Sequence, residues 1–388
     1  MNPTLWTPSP ERVEAANMTR FRSHVAAAEG VALDDYNALY DWSIAHIDRF
    51  WTHVWDFCGI IAETRGDRVL VDADKMPGAH FFPDARLNFA QNLMRVTDDR
   101  RVLTFWGEDK AKATMTGAEL SALVSRLQQF LKDQGVEKGD RVAGFVANTP
   151  ETLAAMLAAT SLGAVWSSCS PDFGIGGVLD RFGQIAPKVL FATDGYYYNG
   201  KSHGAREKLD SIVPAIGSLK AVVLLPYAQE AATGEIPNKT RLLADAIAPY
   251  AAKPVDYVMV GFNDPLVVMF SSGTTGKPKC IIHSVGGALI QQVKEHVLHC
   301  DVKPGDVVFY FTTCGWMMWN WLIAGMAAEA ELALYDGSPF APDGNILYDF
   351  ADAAQFTLFG TSAKYIDACS TAGLKPAETH KLDSVRTI

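Results

Sequence analysis

The residues best suited to chemistry form one short segment, residues 271–279, which we call the phosphate loop. Two glycines in it let backbone N–H groups converge on an oligophosphate. Four hydroxyls add hydrogen-bond donors and two lysines add positive charge, so the segment suits the phosphates of a nucleoside triphosphate. The loop lies between the apolar runs LVVMF and CIIH and consists of Ser271, Ser272, Gly273, Thr274, Thr275, Gly276, Lys277, Pro278 and Lys279.

The phosphate loop differs from the Walker A motif, which has four residues between its first glycine and its Gly-Lys pair, followed by Ser or Thr. Here only Thr274 and Thr275 intervene, and Pro278 follows Lys277. The pattern predicts a strand, a loop and a second strand, with the next helix over 286–300, so backbone amides and lysines would bind the phosphates. An ordinary Ser/Thr/Gly-rich turn is the alternative, but the density of lysines and hydroxyls disfavours it.

Composition places the chain among soluble globular proteins. It has 388 residues, 48% of them hydrophobic and 20% charged, enough for two or three domains. The formal net charge of −10 disfavours nonspecific nucleic-acid binding. No signal peptide is evident, and the most apolar stretches, 153–166 and 317–334, are too short or too interrupted to span a membrane. We therefore expect a cytoplasmic protein with small-molecule partners, no nucleic acid and no membrane span.

The sequence predicts no metal site formed by the protein. Its six cysteines lie far apart without a C-x-x-C pair, as expected for reduced thiols. His296 and His299, with Cys300, share one end of a predicted helix, and two imidazoles at this spacing could reach one ion. No fourth ligand is evident, so a half-exposed helix end is the favoured interpretation.

Two regions differ in pattern. Residues 1–95 contain helix-like segments with scattered tryptophans, which predict a helical N-terminal cap with aromatic anchors: Trp6, Trp42, Trp51 and Trp55. From residue 96 onward, apolar runs alternate with helical patterns, which predicts an α/β fold of mostly parallel sheets layered with helices. The predicted strands cover 141–148, 165–170, 189–194, 221–226, 266–272, 307–313, 331–336 and 356–360.

Ligands of such sheets gather at the carboxyl ends of the strands. The phosphate loop follows one predicted strand. The segments 312–316 and 360–362 follow two others. We therefore expect these three loops to lie on one side of the molecule and to form one site.

The motifs match a known family. The segment SSGTTGKPK resembles the signature of the acyl-adenylate-forming enzymes, and residues 139–174 resemble the first core region of that superfamily. LNFAQNLM at 87–94 is similar to the leader of its acetyl-CoA synthetase-like branch. CGWMMWNW at 314–321 and FGTSAKY at 359–365 most resemble the acetoacetyl-CoA synthetases within that branch. The resemblance covers essentially the whole chain.

This resemblance implies a two-step ligase. The carboxylate of acetoacetate would attack the α-phosphorus of ATP to give an acyl-adenylate and pyrophosphate, and the thiol of coenzyme A would then displace AMP. Charge stabilisation and alignment drive both steps. Lys277 and Thr274 would be catalytic, and the ATP phosphates would be bound, with Mg²⁺ bridging their oxygens, by Ser271, Ser272, Gly273, Thr274, Thr275, Gly276, Lys277 and Lys279.

The resemblance also implies residues for the acid and the thiol. Trp316 would wall the acyl pocket or the pantetheine tunnel, although a core aromatic is the alternative. Met317 and Met318 stand where the acetate enzymes have smaller or hydroxyl-bearing residues, and they would shape a pocket for a larger acid. Tyr198 and Lys201 occupy the positions of two arginines near the terminal phosphate of coenzyme A, so that contact would be weak.

The family's later motifs have no counterpart here: the adenine loop, a further Mg²⁺ loop, the ribose aspartate, the hinge and the small C-terminal domain. We therefore expect an incomplete large domain over 96–388, with little ligase turnover by itself and exposed apolar surface. Two alternatives stay open: a ligase for another short-chain acid such as acetate or propionate, and a noncatalytic remnant that acts as a binding module.

Overall fold

The structure is a computed structural model, and it describes residues 6–228, 237–271 and 276–388. The described part contains α-helices, one 3₁₀ segment and one π-helical segment. The helices are α1 Pro10–Ala15, α2 Asn17–Glu29, α3 Tyr36–Ala45, α4 Ile47–Phe57, α5 Phe89–Leu93, α6 Gly117–Asp133, α7 Pro150–Ser161, α8 Ile175–Ile185, α9 Arg206–Ala215, α10 Leu243–Ile247, α11 Val285–Lys294, α12 Met317–Ala324, α13 Ile346–Ala354, α14 Ala363–Thr371 and α15 Pro376–Thr379.

Strands within the described residues form two large sheets and three small ones. They are β1 Ala62–Thr64, β2 Leu70–Val71, β3 His80–Phe81, β4 Arg86–Leu87, β5 Arg101–Gly107, β6 Ala111–Thr116, β7 Arg141–Phe145, β8 Val165–Cys169, β9 Val189–Thr193, β10 Gly195–Tyr198, β11 Lys201–Gly204, β12 Ala221–Leu225, β13 Thr240–Leu242, β14 Val260–Gly261, β15 Pro265–Ser271, β16 Lys279–Ser284, β17 Val307–Tyr310, β18 Glu331–Asp336 and β19 Leu358–Gly360.

The larger sheet has seven strands in the order β13-β12-β9-β7-β8-β15-β16. All neighbouring strands are parallel except β15 and β16, which form an antiparallel pair at one edge. Strands β7, β9 and β12 are buried on both faces, as expected where helices cover a parallel sheet. The predicted fold class of mostly parallel, helix-layered sheets is confirmed.

The second sheet has five strands in the order β19-β17-β18-β5-β6, parallel except for β6. One hydrophobic core joins the facing sides of both sheets through α7, whose residues are almost all buried. Separate cores lie on the outer faces, against α8 and α9 on the larger sheet and against α13 on the smaller one. The main body is therefore layered helix, sheet, helix, sheet, helix.

The N-terminal region is helical in large part, but it also contains short strands. Among these, β1 and β4 join β14 of the main body in a three-stranded sheet. Trp42 and Trp55 are buried, and Trp55 packs on Phe82 and Phe262. Trp6, in contrast, is 65% exposed, so the expectation that it anchors the region is wrong.

The segment after α11 is not the continuous α-helix predicted to residue 300, because residues Glu295–His299 form a π-helical turn. His296 is fully buried there, and its Nε2 lies 2.7 Å from the carbonyl oxygen of Trp321. Burial lowers the pKa of His296 to about 4. His299 is exposed, and the described residues contain no group of His, Cys, Asp or Glu arranged to hold a metal ion.

Within the described residues, no helix is both long and apolar enough to cross a bilayer.

Candidate active site

The phosphate loop connects β15 and β16 at the carboxyl edge of the seven-stranded sheet. Ser271 pairs with Lys279 at the loop end of this hairpin. The position follows from the sequence, since an apolar strand enters the core and the Gly/Ser/Thr segment ends it. Four predicted site residues lie outside the described residues: Ser272, Gly273, Thr274 and Thr275.

The described part of the loop presents its cations to solvent. Lys277 and Lys279 are both exposed, and neither takes part in the ion pairs formed among the described residues. Gly276 has a φ of 99°, a conformation that glycine adopts readily. The Gln184 side chain of α8 supports the loop by donating to the carbonyl of Pro278 at 2.9 Å. The two ammonium groups are therefore available to an anion.

A cavity of about 800 Å³ opens at the carboxyl edges of the two large sheets. Aromatic rings form much of its wall, with a lysine, a histidine and two aspartates among them. Its lining residues are Ser170, Pro171, Asp172, Phe173, Tyr196, Tyr197, Tyr198, His203, Phe311, Thr313, Trp316, Asp336, Gly337, Ser338, Pro339, Phe340, Ser362, Lys364, Tyr365 and Ala368.

The loops predicted to share one side do so. Thr313 and Trp316 follow β17, Ser362 follows β19, and all three line the cavity. Ser170 also lines it and follows β8, the strand that pairs with β15. The cavity and the phosphate loop thus lie at the ends of neighbouring strands, as the carboxyl-edge rule for α/β sheets requires.

Tyr198 and Lys201 lie on the hairpin of β10 and β11, and they are cross-strand partners. Tyr198 lines the cavity and is 52% exposed. Lys201 is exposed at the start of β11 and is not among the lining residues. The structure therefore brings these two residues together at the cavity's rim, with the tyrosine inside it.

Trp316, Met317 and Met318 lie at the start of α12. Trp316 precedes the helix, lines the cavity and is 66% exposed, so the alternative that it is a core aromatic is wrong. Met317 and Met318 are half-buried and do not line this cavity. The residue before the helix points outward, whereas the first helical turn already packs on the sheet.

Asp336 was not identified from the sequence. It is the last residue of β18, is half-buried, and lines the cavity. Burial raises the pKa of its carboxyl group to about 6, partly offset by the backbone N–H of Asn148, which donates to Oδ1 at 2.9 Å. Its place at the carboxyl end of the predicted strand ELALYD was the signal available.

Asn148 was also missed, because its role depends on contacts between distant segments. It follows β7, and its Nδ2 donates to the carbonyl of Tyr335 at 3.1 Å. Its Oδ1 accepts from the indole of Trp319 in α12 at 2.9 Å. Asn148 therefore connects both sheets to the helix that follows Trp316.

Comparison with known families identifies the class. The family described as AMP-binding enzyme matches residues 89–388. The chain belongs to this family of AMP-binding enzymes. A second family, described as the acetyl-coenzyme A synthetase N-terminus, matches residues 36–93. The predicted resemblance to acyl-adenylate-forming enzymes is thus confirmed.

Relatives of this AMP-binding enzyme include the acetoacetyl-coenzyme A synthetase of Rhizobium meliloti (strain 1021), 52% identical over 98% of this chain. The acetoacetyl-CoA synthetase of Rattus norvegicus is 42% identical over 99% of it. Malonamoyl-CoA synthetase vrtB of Penicillium aethiopicum is 37% identical over 93%. The chain spans 58% of the length of the first two relatives and 53% of the third.

A solved structure has the same fold. The acetoacetyl-CoA synthetase from Streptomyces lividans superposes with a TM-score of 0.94 at 40% sequence identity. The match covers 100% of this chain and 60% of that one. The AMP-binding enzyme described here therefore shares the layered α/β architecture of that structure.

Proposed function

We propose that this chain carries the ATP-phosphate and thiol sites of an acetoacetate–CoA ligase that releases AMP and pyrophosphate. The observation that carries the proposal is that Ser271, which begins the SSGTTGKPK segment, ends the strand β15 next to β8, and that Ser170 after β8 lines the aromatic cavity of a chain in the AMP-binding enzyme family. The similarity to acetoacetyl-CoA synthetases over nearly the whole chain supports acetoacetate as the acid.

The first step joins the acid to AMP. A carboxylate oxygen attacks the α-phosphorus of ATP, and the bond from that phosphorus to the bridging oxygen of pyrophosphate breaks. Lys277 and Lys279, with the hydroxyls of Ser271, Ser272, Thr274 and Thr275 and the amides of Gly273 and Gly276, would hold the β- and γ-phosphates. Fixed positive charge there stabilises the departing pyrophosphate more than the ground state, which lowers the barrier.

Mg²⁺ would accompany ATP in this scheme. It binds oxygen ligands and commonly keeps substrate phosphates and waters around it, with few protein ligands. A loop rich in hydroxyls fits such an ion, and a cage of carboxylates is not required. The hydroxyls of the phosphate loop would help to hold Mg²⁺ with ATP, and the ion would neutralise part of the charge on the phosphates.

The second step transfers the acyl group to coenzyme A, whose thiol sulfur attacks the acyl carbon while the AMP phosphate leaves. The cavity suits this ligand, because aromatic walls stack on adenine and bury the pantetheine chain. Tyr198 and Lys201 lie at its rim, where a single cation predicts a weak phosphate contact. Trp316 would separate the thiol from the acid, and Met317 and Met318 would lie behind it.

Acid specificity is the direct test of this function. We expect ATP–pyrophosphate exchange by the protein that carries this chain to require acetoacetate and to be slower with acetate, propionate or malonamate. Equal exchange rates with all four acids would contradict acetoacetate as the preferred substrate. Absence of exchange with every acid would contradict the ligase function as a whole.

Two coarser features complete the proposal. We place a boundary near residue 95, between a helix-rich cap and the AMP-binding domain over 96–388, and we assign the enzyme to the cytoplasm. The family matches, which meet at residues 89–93, support the boundary.

A further inference from the structure

One fully buried carboxylate lies behind the cavity wall without lining the cavity. Glu108 is in the turn between β5 and β6 and has no exposed surface. Its φ is 48°, a left-handed conformation uncommon for a residue with a side chain. Both features are costly, so a specific arrangement must compensate for them.

The compensation comes from three backbone N–H groups. Oε1 of Glu108 accepts from Asn199 at 2.7 Å and from Ser338 at 2.9 Å. Oε2 accepts from Gly200 at 3.1 Å. Among the ion pairs formed within the described residues, none involves Glu108. Within the described residues, three backbone N–H groups are therefore the hydrogen-bond donors to this buried carboxyl group.

The three donors belong to two separate segments that wall the cavity. Asn199 and Gly200 are the two turn residues of the β10–β11 hairpin, and both have positive φ, 56° and 75°. Such a turn matches the twist of the strands but provides N–H groups that need an acceptor. The hairpin strands carry the cavity residues Tyr196, Tyr197, Tyr198 and His203.

The second segment follows β18. Gly337 has a φ of 135°, and a Cβ there would lie 2.2 Å from Cγ of Glu108, so this turn closes directly onto the carboxylate. Ser338, Pro339 and Phe340 then continue along the cavity wall. One side chain thus connects two walls that share no strand pairing among the described residues.

We propose that Glu108 is a positioning residue that fixes the aromatic hairpin against the 337–340 turn and thereby sets the affinity of the cavity for coenzyme A. The choice of ligand rests on the proposed function above. The connection itself rests on the three hydrogen bonds. Because Glu108 does not touch the cavity, its effect on binding is carried by the two walls.

Two variants test the role. Glu108→Ala removes all three acceptors. Glu108→Gln keeps the shape of the side chain but replaces one carboxylate oxygen with an NH₂ group, which cannot accept a hydrogen bond. If the remaining oxygen takes the place of Oε1, the N–H groups of Asn199 and Ser338 keep their acceptor and that of Gly200 loses it. Glu119→Gln is the matched control, because Glu119 also accepts from a backbone N–H, that of Thr116 at 2.8 Å, but lies on the exposed start of α6.

Hydrogen–deuterium exchange measures the walls without any ligand. We expect amides in 195–204 and 337–340 to exchange about tenfold or more faster in both Glu108 variants than in the wild type, since hydrogen bonds that hold the two segments to Glu108 are lost or weakened. Exchange outside these two segments should stay unchanged in the Glu108 variants, and Glu119→Gln should leave both segments at the wild-type rate, with any change confined to the start of α6. Unchanged exchange in both Glu108 variants would overturn the proposal.

Calorimetric titration with coenzyme A measures the consequence. We expect the dissociation constant for coenzyme A to rise about tenfold in Glu108→Gln, because less ordered cavity walls must lose conformational entropy on binding. It should stay unchanged in Glu119→Gln. Faster exchange with unaltered affinity would overturn the positioning role. A wild-type protein that does not bind coenzyme A would instead contradict the proposed function, while the exchange data would still decide whether Glu108 holds the walls.

Discussion

Asp336 is a residue of the cavity wall whose acid–base chemistry is altered by the fold. Asp336 is half-buried and lines the cavity, and desolvation of its carboxyl group raises its pKa from 3.8 to about 6, with Glu108 and Asp172 adding to the rise. In the window between these two pKa values the folded protein binds more protons at this site than the unfolded chain does. The contribution of Asp336 to the free energy of unfolding therefore falls as the pH rises from about 4 to about 6.

Asp336→Asn should remove this dependence. The amide oxygen can still accept the backbone N–H of Asn148, but it carries no charge. We expect the variant to gain stability relative to the wild type as the pH goes from 4 to 7, by at most about 3 kcal/mol for a shift of this size. Denaturant unfolding at both pH values measures it, and a constant difference between the two proteins would contradict the raised pKa.

At the scale of single residues, the sequence predicts a functional residue only where the pattern that marks it lies within a short segment of the chain. The phosphate loop is predicted from its residue types, and the segment 312–316 from its place directly after a strand, whereas the role of Trp316 is implied by the family resemblance. Glu108 and Asn148 were not predicted, because their partners lie far away along the chain. Met317 and Met318 were placed at a substrate pocket by resemblance, yet they do not line the described cavity.

Helix α11 shows how one glycine fits an element to its neighbours. Gly286 lies in its first turn, and a Cβ there would be 2.0 Å from the ring of Phe262. The same ring packs on Trp55 and Phe82, so it has little room to move. Close approach of α11 to β14 and the N-terminal region therefore requires glycine at this position.

Gly286→Ala should destabilise the protein by about 1–3 kcal/mol through overpacking. Gly183→Ala is the matched control, since Gly183 is also helical, in α8, but a Cβ there meets no atom within 4 Å. Alanine at that position should stabilise by up to about 1 kcal/mol. Thermal unfolding of both variants measures their stabilities relative to the wild type. Equal changes in stability would show that the close approach of Gly286 to Phe262 does not require glycine.

The elements themselves were largely predictable. Buried parallel strands are short apolar runs, and each predicted run from 141 to 360 contains a strand of the structure. The π-helical turn after α11 was missed, and the contact that accompanies it is tertiary: Nε2 of His296 lies 2.7 Å from the carbonyl oxygen of Trp321. The short strands β1 and β4 were missed because their partner β14 lies beyond residue 259.

At the scale of the whole molecule, Asn148 connects the two large sheets. It follows β7 of one sheet, bonds to Tyr335 and Asp336 at the end of β18 in the other, and accepts from Trp319 of α12. Such a network is costly when one member is removed, because the remaining polar groups stay buried without partners.

Asn148→Ala should therefore lower the free energy of unfolding by about 2–4 kcal/mol, more than a single exposed hydrogen bond would. Thr116→Ala provides the comparison, since it removes the N-terminal cap of α6 at the surface and should cost about 1 kcal/mol. Chemical denaturation gives both values. An Asn148→Ala effect no larger than that of Thr116→Ala would show that the network does not connect the sheets energetically.

The most direct test of the central claim concerns the cations of the phosphate loop. In the protein that carries this chain, acetoacetate-dependent ATP–pyrophosphate exchange should fall about 100-fold or more in the double variant Lys277→Ala, Lys279→Ala, because transition-state charge on the pyrophosphate loses its partners. The control is Lys220→Ala. Lys220 is an exposed lysine directly before β12, at the amino ends of the parallel strands of the same sheet, and its replacement should leave the exchange rate at the wild-type value. Wild-type exchange in the double variant would contradict the assignment of this loop to the phosphates of ATP.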